Sequence, residues 1–242
     1  MSVMQRNHLI VATAIIRSSY KHTNESRTEL LKDIIGKIKD SADVVLLPAG
    51  YYHIEGKAGK VYKYAISSVQ NVLAKAKSNM IVCFGVDGIA GKDTPDQMAL
   101  AVSRKGLIAR GRKFYPTKDE KIIPAPDYKA KERGDSRVFG VKGKKIYLAV
   151  CYDAFGIRMK KIPNPGVDIV FDLIHRFTTP SLKASNESSF ARYGLAGAAK
   201  QWRVPVFGSA VFFNRSIPKR WRRSGIISVQ EKGIRPISSS KR

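Results

Sequence analysis

The chain is poor in several residue types, and each shortage excludes a class of protein. Only two cysteines, Cys83 and Cys151, occur in 242 residues, which is too few for a disulfide framework or a cysteine-ligated zinc site. The four histidines form no cluster at metal-ligand spacing, and no apolar run reaches the length of a membrane span. A glycine-rich phosphate loop of recognised spacing is also missing. We therefore expect a protein of the reducing cytoplasm with no metal, no cofactor and no membrane span.

Acidic residues are also scarce relative to basic ones. The 19 Asp and Glu residues face 44 Lys and Arg residues, which gives a formal net charge of +25. Such an excess is typical of proteins that bind nucleic acid, an anionic membrane surface or an acidic partner, but it also fits a solvated basic surface. One cluster, residues 219–223, places Trp221 among four cations. This cluster predicts either a phosphate grip with base stacking or a surface loop anchored by the tryptophan.

Apolar residues are plentiful, and they predict a single domain over residues 1–242 with a large core. The N-terminal apolar stretch has no small-residue cleavage site, so we interpret it as a first strand rather than a signal peptide. Residues 113–137 are polar and proline-punctuated, which indicates a long loop. Helical spacing predicts helices over residues 25–39, 62–78 and 187–202, and short apolar runs predict strands over 8–16, 44–47, 80–86, 98–103, 107–110, 146–150, 167–173, 205–212 and 225–229. This order predicts a mixed α/β sandwich.

The stretch with the clearest chemistry is residues 144–156, where a short apolar strand ends in Cys151. Open α/β folds place reacting groups in the crevice at the carboxyl ends of their strands. A cysteine in such a position, partly exposed and near positive charge, becomes a useful thiolate. The alternative is a small apolar side chain that finishes a buried strand. We interpret Cys83, which lies inside a predicted strand, as part of the core.

Three stretches together resemble the nitrilase (carbon–nitrogen hydrolase) superfamily. They are V-V-L-L-P-A-G-Y-Y at 44–52, A-L-A-V-S-R-K-G-L-I-A-R-G-R-K-F-Y-P at 99–116 and Y-L-A-V-C-Y-D at 147–153. That family has a strand ending in P-E, a hairpin leading into a lysine and a strand ending in C-[YW]-[DE]. The resemblance implies an α-β-β-α sandwich, thiol-based hydrolysis of an amide or nitrile C–N bond, and a homodimer or larger homo-oligomer.

The resemblance also assigns roles to individual residues. It implies that Cys151 is the nucleophile and that Lys113 stabilises the oxyanion and favours the thiolate. Tyr152 would contribute its backbone N–H group to the same oxyanion. We expect Asp153 to order the strand end rather than to titrate.

The family's general-base glutamate is replaced by Ala49 in this chain. Losing a general base typically costs about 10²–10⁴-fold in rate, so we expect impaired or absent turnover unless another group has taken over. Glu120 leads the substitutes because it lies near a second pocket glutamate of the family. His53 is another candidate, as is His175 with Arg176, since histidine titrates closer to neutrality than a carboxylate does.

Simpler interpretations of these residues stay open. Glu120 fits a surface glutamate, His53 fits a loop histidine, and Arg176 fits a partner for Asp172. Ala49 fits a natural pseudoenzyme or an engineered exchange that traps a complex. The alternative function is therefore a non-catalytic binding module that uses its basic surface for nucleic acid or an acidic partner.

Overall fold

The computed structural model describes residues 9–18, 23–39, 41–90, 94–126, 128, 136–178, 187–222, 226–230 and 233–235. Its strands are β1 (Val11–Ser18), β2 (Val44–Leu46), β3 (Tyr52–Lys57), β4 (Ile81–Ala90), β5 (Thr94–Ser103), β6 (Gly106–Arg112), β7 (Val138–Val141), β8 (Lys144–Val150), β9 (Ile169–Phe177), β10 (Val206–Phe213), β11 (Ile226–Gln230) and β12 (Gly233–Arg235). Its helices are α1 (Asn24–Ile38), α2 (Ala58–Lys75), α3 (Asp153–Arg158), α4 (Glu187–Ser189), α5 (Ala196–Trp202) and α6 (Lys219–Arg222), and a π-helical stretch, Phe190–Leu195, joins α4 to α5. None of the helices within these ranges is long and apolar enough to cross a membrane.

The strands form two facing halves of one sheet, covered on both outer sides by helices. The hydrogen-bonded path runs β6-β5-β4-β2-β1-β10-β9-β8-β7. Strand β8 shows the layering, because its side chains alternate between two cores. Its even-numbered residues 146, 148 and 150 pack in the core between the two halves, whereas Tyr147 and Ala149 pack against α3 and α5. Helices α1 and α2 cover the other half. The predicted α-β-β-α sandwich is confirmed.

Local sequence explains where the main helices lie. Thr23 caps α1, because its hydroxyl accepts a hydrogen bond from the Ser26 backbone N–H at 3.2 Å, as capping threonines do. The apolar face predicted for this helix is buried at Leu31, Ile34, Ile35 and Ile38. The segment predicted as a helix over residues 187–202 is helical throughout, although its middle is a π-helix.

Strands β3, β7 and β12 and helix α3 have no counterpart among the predicted elements. Strand β3, with the sequence Y-H-I-E-G-K, alternates apolar and polar residues only over its first four positions, and it pairs in parallel with β4. Strand β7 has four residues and α3 has six, which is too short for any periodicity to show. Tertiary pairing and packing therefore decide these elements.

Parallel pairing of the central strands positions the site. Each of the neighbouring pairs β4–β2, β2–β1, β1–β10, β10–β9 and β9–β8 is parallel. The carboxyl ends of these strands therefore meet at one edge, where α/β proteins bind ligands. Two backbone bonds fasten this edge: Ala49 N–H donates to Ile174 O at 3.1 Å, and Cys151 N–H donates to Leu173 O at 2.9 Å.

Trp221, at the centre of the late basic cluster, is part of the hydrophobic core. Its side chain is buried, and its ring centroid lies 5.6 Å from that of Phe177 and 5.5 Å from that of Phe212. The anchoring interpretation of this tryptophan is therefore correct, and base stacking on it is not available. The side chains of Arg220 and Arg222, and all of Arg223, lie outside the described residues.

Candidate active site

Cys151 occupies a strained turn between β8 and α3. Its backbone φ is +52°, a conformation that non-glycine residues rarely adopt and that is concentrated at functional sites. The side chain is nearly buried, with 7% exposure. A sharp turn between a strand and a helix can hold a nucleophilic side chain at the edge of the sheet in one orientation.

Lys113 is fully buried and directly follows β6. Its Nζ donates to both carboxylate oxygens of Glu120, at 2.6 and 2.7 Å, and Glu120 also accepts the Thr117 backbone N–H at 2.8 Å. Burial lowers the pKa of Lys113, but the Cys151 thiolate and Glu120 outweigh this and raise the pKa above its ordinary value. The lysine is therefore a fixed positive charge beside the nucleophile.

Asp153 fastens the segment of Lys113 to the turn of the nucleophile. Its Oδ1 accepts the backbone N–H groups of the two residues that follow Lys113, at 2.9 and 2.8 Å. Its Oδ2 accepts the Val150 N–H at 3.1 Å and the Arg137 Nη1 at 3.3 Å. The side chains of Asp153 and Arg137 are both fully buried. The expectation that Asp153 orders the strand end agrees with these contacts.

His175, near the end of β9, joins Cys151 to a second carboxylate. Its Nε2 lies 3.1 Å from Oδ1 of Asp87, and the pKa of its ring depends on Cys151 as well as on Asp87. Burial lowers the pKa of His175, but Asp87 and Cys151 outweigh it and raise the pKa to about 10. Burial raises the pKa of Asp87, yet the histidine outweighs it, so this pKa is lowered.

The two cysteines have opposite electrostatic environments. Burial alone raises the pKa of Cys83 far above that of a free thiol, and the residue packs in the core as expected. Burial also acts to raise the pKa of Cys151, but the hydrogen bond with His175 and the charge of Lys113 lower the pKa below its ordinary value. The surroundings of Cys151 therefore favour the thiolate, which is the reactive form of a cysteine, whereas those of Cys83 disfavour it.

Solved structures share this architecture. A scan against protein-family models found no match, and neither did a search of the curated proteins. The amidase from Nesterenkonia sp. AN1, as a double mutant with acrylamide, is 12% identical with a TM-score of 0.64, covering 87% of this chain and 79% of that chain. A cysteine-to-serine mutant of that amidase, described as from the nitrilase superfamily, is 13% identical with a TM-score of 0.62, covering 86% and 79%. The chain has the nitrilase-superfamily fold.

At the edge of this nitrilase fold, a cavity of about 860 Å³ opens beside the reactive groups. Among the residues of the site that line it are Ala49, Asp87, Glu120 and His175, together with the more peripheral His53 and Arg176. The structure thus brings Glu120 and His175 to the cavity along with Ala49. No group of three or more potential His, Cys, Asp or Glu metal ligands occurs in the part of the chain that the structure describes.

His53 and Arg176 lie at the outer part of this cavity. The His53 side chain is exposed, and its backbone N–H and C=O bond to the Asn24 side chain at 3.0 and 2.7 Å. The guanidinium of Arg176 lies 5.7 Å from the centroid of the Phe213 ring. Neither oxygen of Asp172 has a hydrogen-bonding partner among the described residues, so a pairing of Asp172 with Arg176 is not present.

Asp87 is a residue of the site that the sequence patterns do not predict. It directly follows the predicted strand over residues 80–86, just as Cys151 follows the strand over 146–150. The same rule about polar residues at the carboxyl ends of buried strands applies to both positions. An aspartate before glycine is also a common turn signal, which explains why its chemical meaning stays hidden in the sequence.

Proposed function

We propose that this protein is a thiol-dependent hydrolase that cleaves the C–N bond of a small amide or nitrile. The observation that carries the proposal is the environment of Cys151, whose thiol pKa is lowered beside Lys113 and His175 in a strained turn. A buried structural cysteine such as Cys83 has the opposite environment. The nitrilase-superfamily fold and the cavity lined by Ala49, Glu120 and His175 support the same chemistry.

The proposed reaction begins with attack of the Cys151 thiolate on the carbonyl carbon of the amide. The negative charge that develops on the carbonyl oxygen is stabilised by the ammonium group of Lys113 and by the backbone N–H group of Tyr152. Asp153 keeps these groups in place, because it binds both the segment of Lys113 and the end of β8. Glu120 holds the lysine ammonium in one orientation through its two hydrogen bonds.

Other structures of the Nesterenkonia amidase show what its cysteine does. In one mutant, acrylamide has undergone Michael addition at the active-site cysteine, and another complex contains butyramide. A glutamate-to-leucine mutant carries the acetamide moiety of fluoroacetamide at that cysteine. Small amides with a short acyl group are therefore the substrate class to try first. His53 and Arg176 would contact the part of the substrate that lies farthest from the thiol.

The experiment combines covalent labelling with turnover. The protein is incubated with acrylamide, and peptide mapping compares the labelling of Cys151 with that of Cys83. Ammonia release is then measured from acetamide, propionamide, butyramide and the matching nitriles. We expect selective labelling of Cys151, and ammonia release that is lost in Cys151→Ala and kept in Cys83→Ala. Equal labelling of both thiols, with no ammonia from any compound, would contradict the proposal.

The proposal includes a homodimer or larger homo-oligomer in a reducing cytoplasm, supported by the family resemblance and the scarcity of cysteine. The alternative, a non-catalytic binding module, is supported by the net charge of +25 and by the lack of a carboxylate at Ala49. The labelling experiment separates the two, because a binding module does not need an activated thiol.

A further inference from the structure

The turn that carries Ala49 is covered by a carboxylate from a neighbouring strand. A Cβ atom placed on Gly50 would lie 2.6 Å from Oδ2 of Asp87, and Gly50 has a φ of +61°. Only glycine therefore lets the Asp87 carboxylate approach the turn so closely. A negative charge is present next to position 49, although residue 49 itself has no ionisable group.

This carboxylate does not act on the thiol directly, because His175 lies between them. The imidazole Nε2 is 3.1 Å from Oδ1 of Asp87. The backbone of Cys151 is hydrogen-bonded to that of Leu173, two residues before His175 on β9, and interaction with His175 acts to lower the pKa of the Cys151 thiol. The side chains of His175 and Asp87 are 21% and 26% exposed, so both are shielded yet open to the cavity that they line. A nucleophile, a base and a third group that orients the base form the arrangement of a catalytic triad.

The charged groups near His175 come from several elements. Asp87 belongs to β4, Cys151 follows β8, Asp172 lies on the histidine's own strand, and Lys113 and Glu120 follow β6. Burial raises the pKa of Asp172 well above its ordinary value, and the nearby Cys151 and Asp153 act in the same direction, so a negative charge on Asp172 is disfavoured. Asp87 and the thiolate therefore determine the protonation of the imidazole.

Glu120 is poorly suited to proton transfer. Its carboxylate accepts two hydrogen bonds from Lys113 and one from the Thr117 backbone. Burial raises its pKa, but these hydrogen bonds outweigh the effect and lower the pKa. A carboxylate stabilised in this way is a weak base, and its lone pairs are occupied by the lysine ammonium.

We infer that His175 is the general acid and base of this site, with Asp87 as its positioning residue, in place of the carboxylate that is absent at Ala49. The inference rests on the proposed function, since it assigns the proton transfers of the same hydrolysis. A Cys–His–Asp arrangement thus occupies the edge of a nitrilase-superfamily fold.

Each step balances with these groups. The Cys151 sulfur bonds to the carbonyl carbon, and the C=O electron pair moves to oxygen. When this pair returns, the C–N bond breaks, and the nitrogen takes the imidazolium proton and leaves as ammonia. Neutral His175 then removes a proton from water, whose oxygen attacks the thioester carbon. The C–S bond breaks, which releases the carboxylic acid and restores the thiolate and the imidazolium.

Release of ammonia requires a protonated imidazole, and attack of water on the thioester requires a neutral one. The surroundings of His175 change between these steps in the direction that each requires. With the thiolate present, the pKa of His175 is raised to about 10 by Asp87 and Cys151, so the ring is protonated and acts as the acid. Formation of the thioester removes the negative charge of the thiolate. The pKa of His175 then falls, and the ring becomes available as the base for water.

The test is the pH dependence of Cys151 alkylation by iodoacetamide, with Cys83 as internal control, together with ammonia release from an amide. We expect wild-type Cys151 to titrate below the value of about 8.5 for a free thiol. In His175→Ala, the apparent pKa should rise towards that value and kcat should fall by about 10²–10⁴-fold. Added imidazole should restore part of the turnover, which a merely structural histidine would not allow.

Asp87→Asn tests the positioning role through a different signature. Removing the negative charge lowers the pKa of His175, so the high-pH limb of the kcat profile should move to lower pH while KM changes little. Asp168→Asn is the matched control, because Asp168 is exposed and accepts one backbone hydrogen bond, from Lys145 at 2.8 Å. If His175→Ala does not fold, His175→Gln provides the same readouts with a side chain that cannot transfer a proton.

The outcomes distinguish the inference from the proposed function. If wild-type Cys151 reacts like Cys83 and releases no ammonia, the proposed function itself fails. If Cys151 is activated and turnover is unchanged in His175→Ala or His175→Gln, the proposed function stands and the assignment of His175 is wrong. An unshifted pH profile in Asp87→Asn would overturn the positioning role of Asp87.

Discussion

At the scale of single residues, the site differs from the family's site in the residue that carries the carboxylate near position 49. The resemblance to carbon–nitrogen hydrolases places a glutamate where the chain has Ala49, and the structure places the Asp87 carboxylate against the same turn. Because Asp87 is bonded to His175, the proposed proton-transfer group is an imidazole in place of a carboxylate.

Ala49→Glu distinguishes a site that uses His175 for proton transfer from a site that lacks its general base. Residue 49 is buried beside Asp87, so a second carboxylate would have to ionise next to a like charge. We expect a loss of about 1–3 kcal/mol in the free energy of unfolding and ammonia release no higher than in the wild type. Chemical denaturation and the ammonia assay measure the two effects. A large gain in activity would instead show that Ala49 stands in for a missing base.

At the scale of elements, the essential contact is the one that ties the segment after β6 to the start of α3. Asp153, the first residue of α3, accepts hydrogen bonds from that segment, from β8 and from Arg137. Arg137 also donates to the Tyr147 hydroxyl at 2.9 Å and to the Arg112 carbonyl. The segment of Lys113 is thus positioned by the buried Asp153–Arg137 ion pair in addition to its own contacts with Glu120.

Asp153→Asn tests this contact. The exchange leaves the buried Arg137 without its ionic partner, which we expect to lower the free energy of unfolding by about 3–5 kcal/mol. Turnover should fall as well, because the segment of Lys113 loses its anchor. Asp168→Asn again serves as the matched control in urea denaturation and in the ammonia assay. Equal effects of the two exchanges would show that Asp153 does not fasten the site.

At the scale of the whole molecule, the site exists because two halves of the sheet meet at one edge. Ala49 comes from one half and Cys151 from the other, and the Ala49 N–H to Ile174 O bond joins the halves next to His175. Two of the many cations, Lys113 and Arg137, are buried at the site, and Trp221 of the late basic cluster anchors its segment in the core.

The oligomeric state is the prediction that belongs to this scale. The chain has a mass of 26.9 kDa, and the resemblance to carbon–nitrogen hydrolases leads us to expect a dimer or a larger homo-oligomer. Light scattering coupled to size exclusion measures this directly, and moderate salt limits charge-driven association. A single species at the mass of one chain would contradict the prediction.

Patterns along the chain determined much of this protein. Apolar periodicity was sufficient for α1, the helix over residues 187–202 and most central strands, because burial on one face imposes a period that the sequence must show. The end of the strand at Cys151 was visible for the same reason, whereas Lys113 was singled out only by the resemblance to the carbon–nitrogen hydrolases. These features depend on neighbours in sequence.

Tertiary structure alone decided the remainder. Asp87 and His175 are 88 residues apart and lie on β4 and β9, which are separated by three strands in the sheet. Only the facing of the two halves of the sheet brings this carboxylate and imidazole together. Strand β3 has only a four-residue alternation of its own, and its parallel pairing with β4 fixes its place in the sheet. Proton transfer requires contact in space, and contacts of this range leave no periodic trace in the sequence.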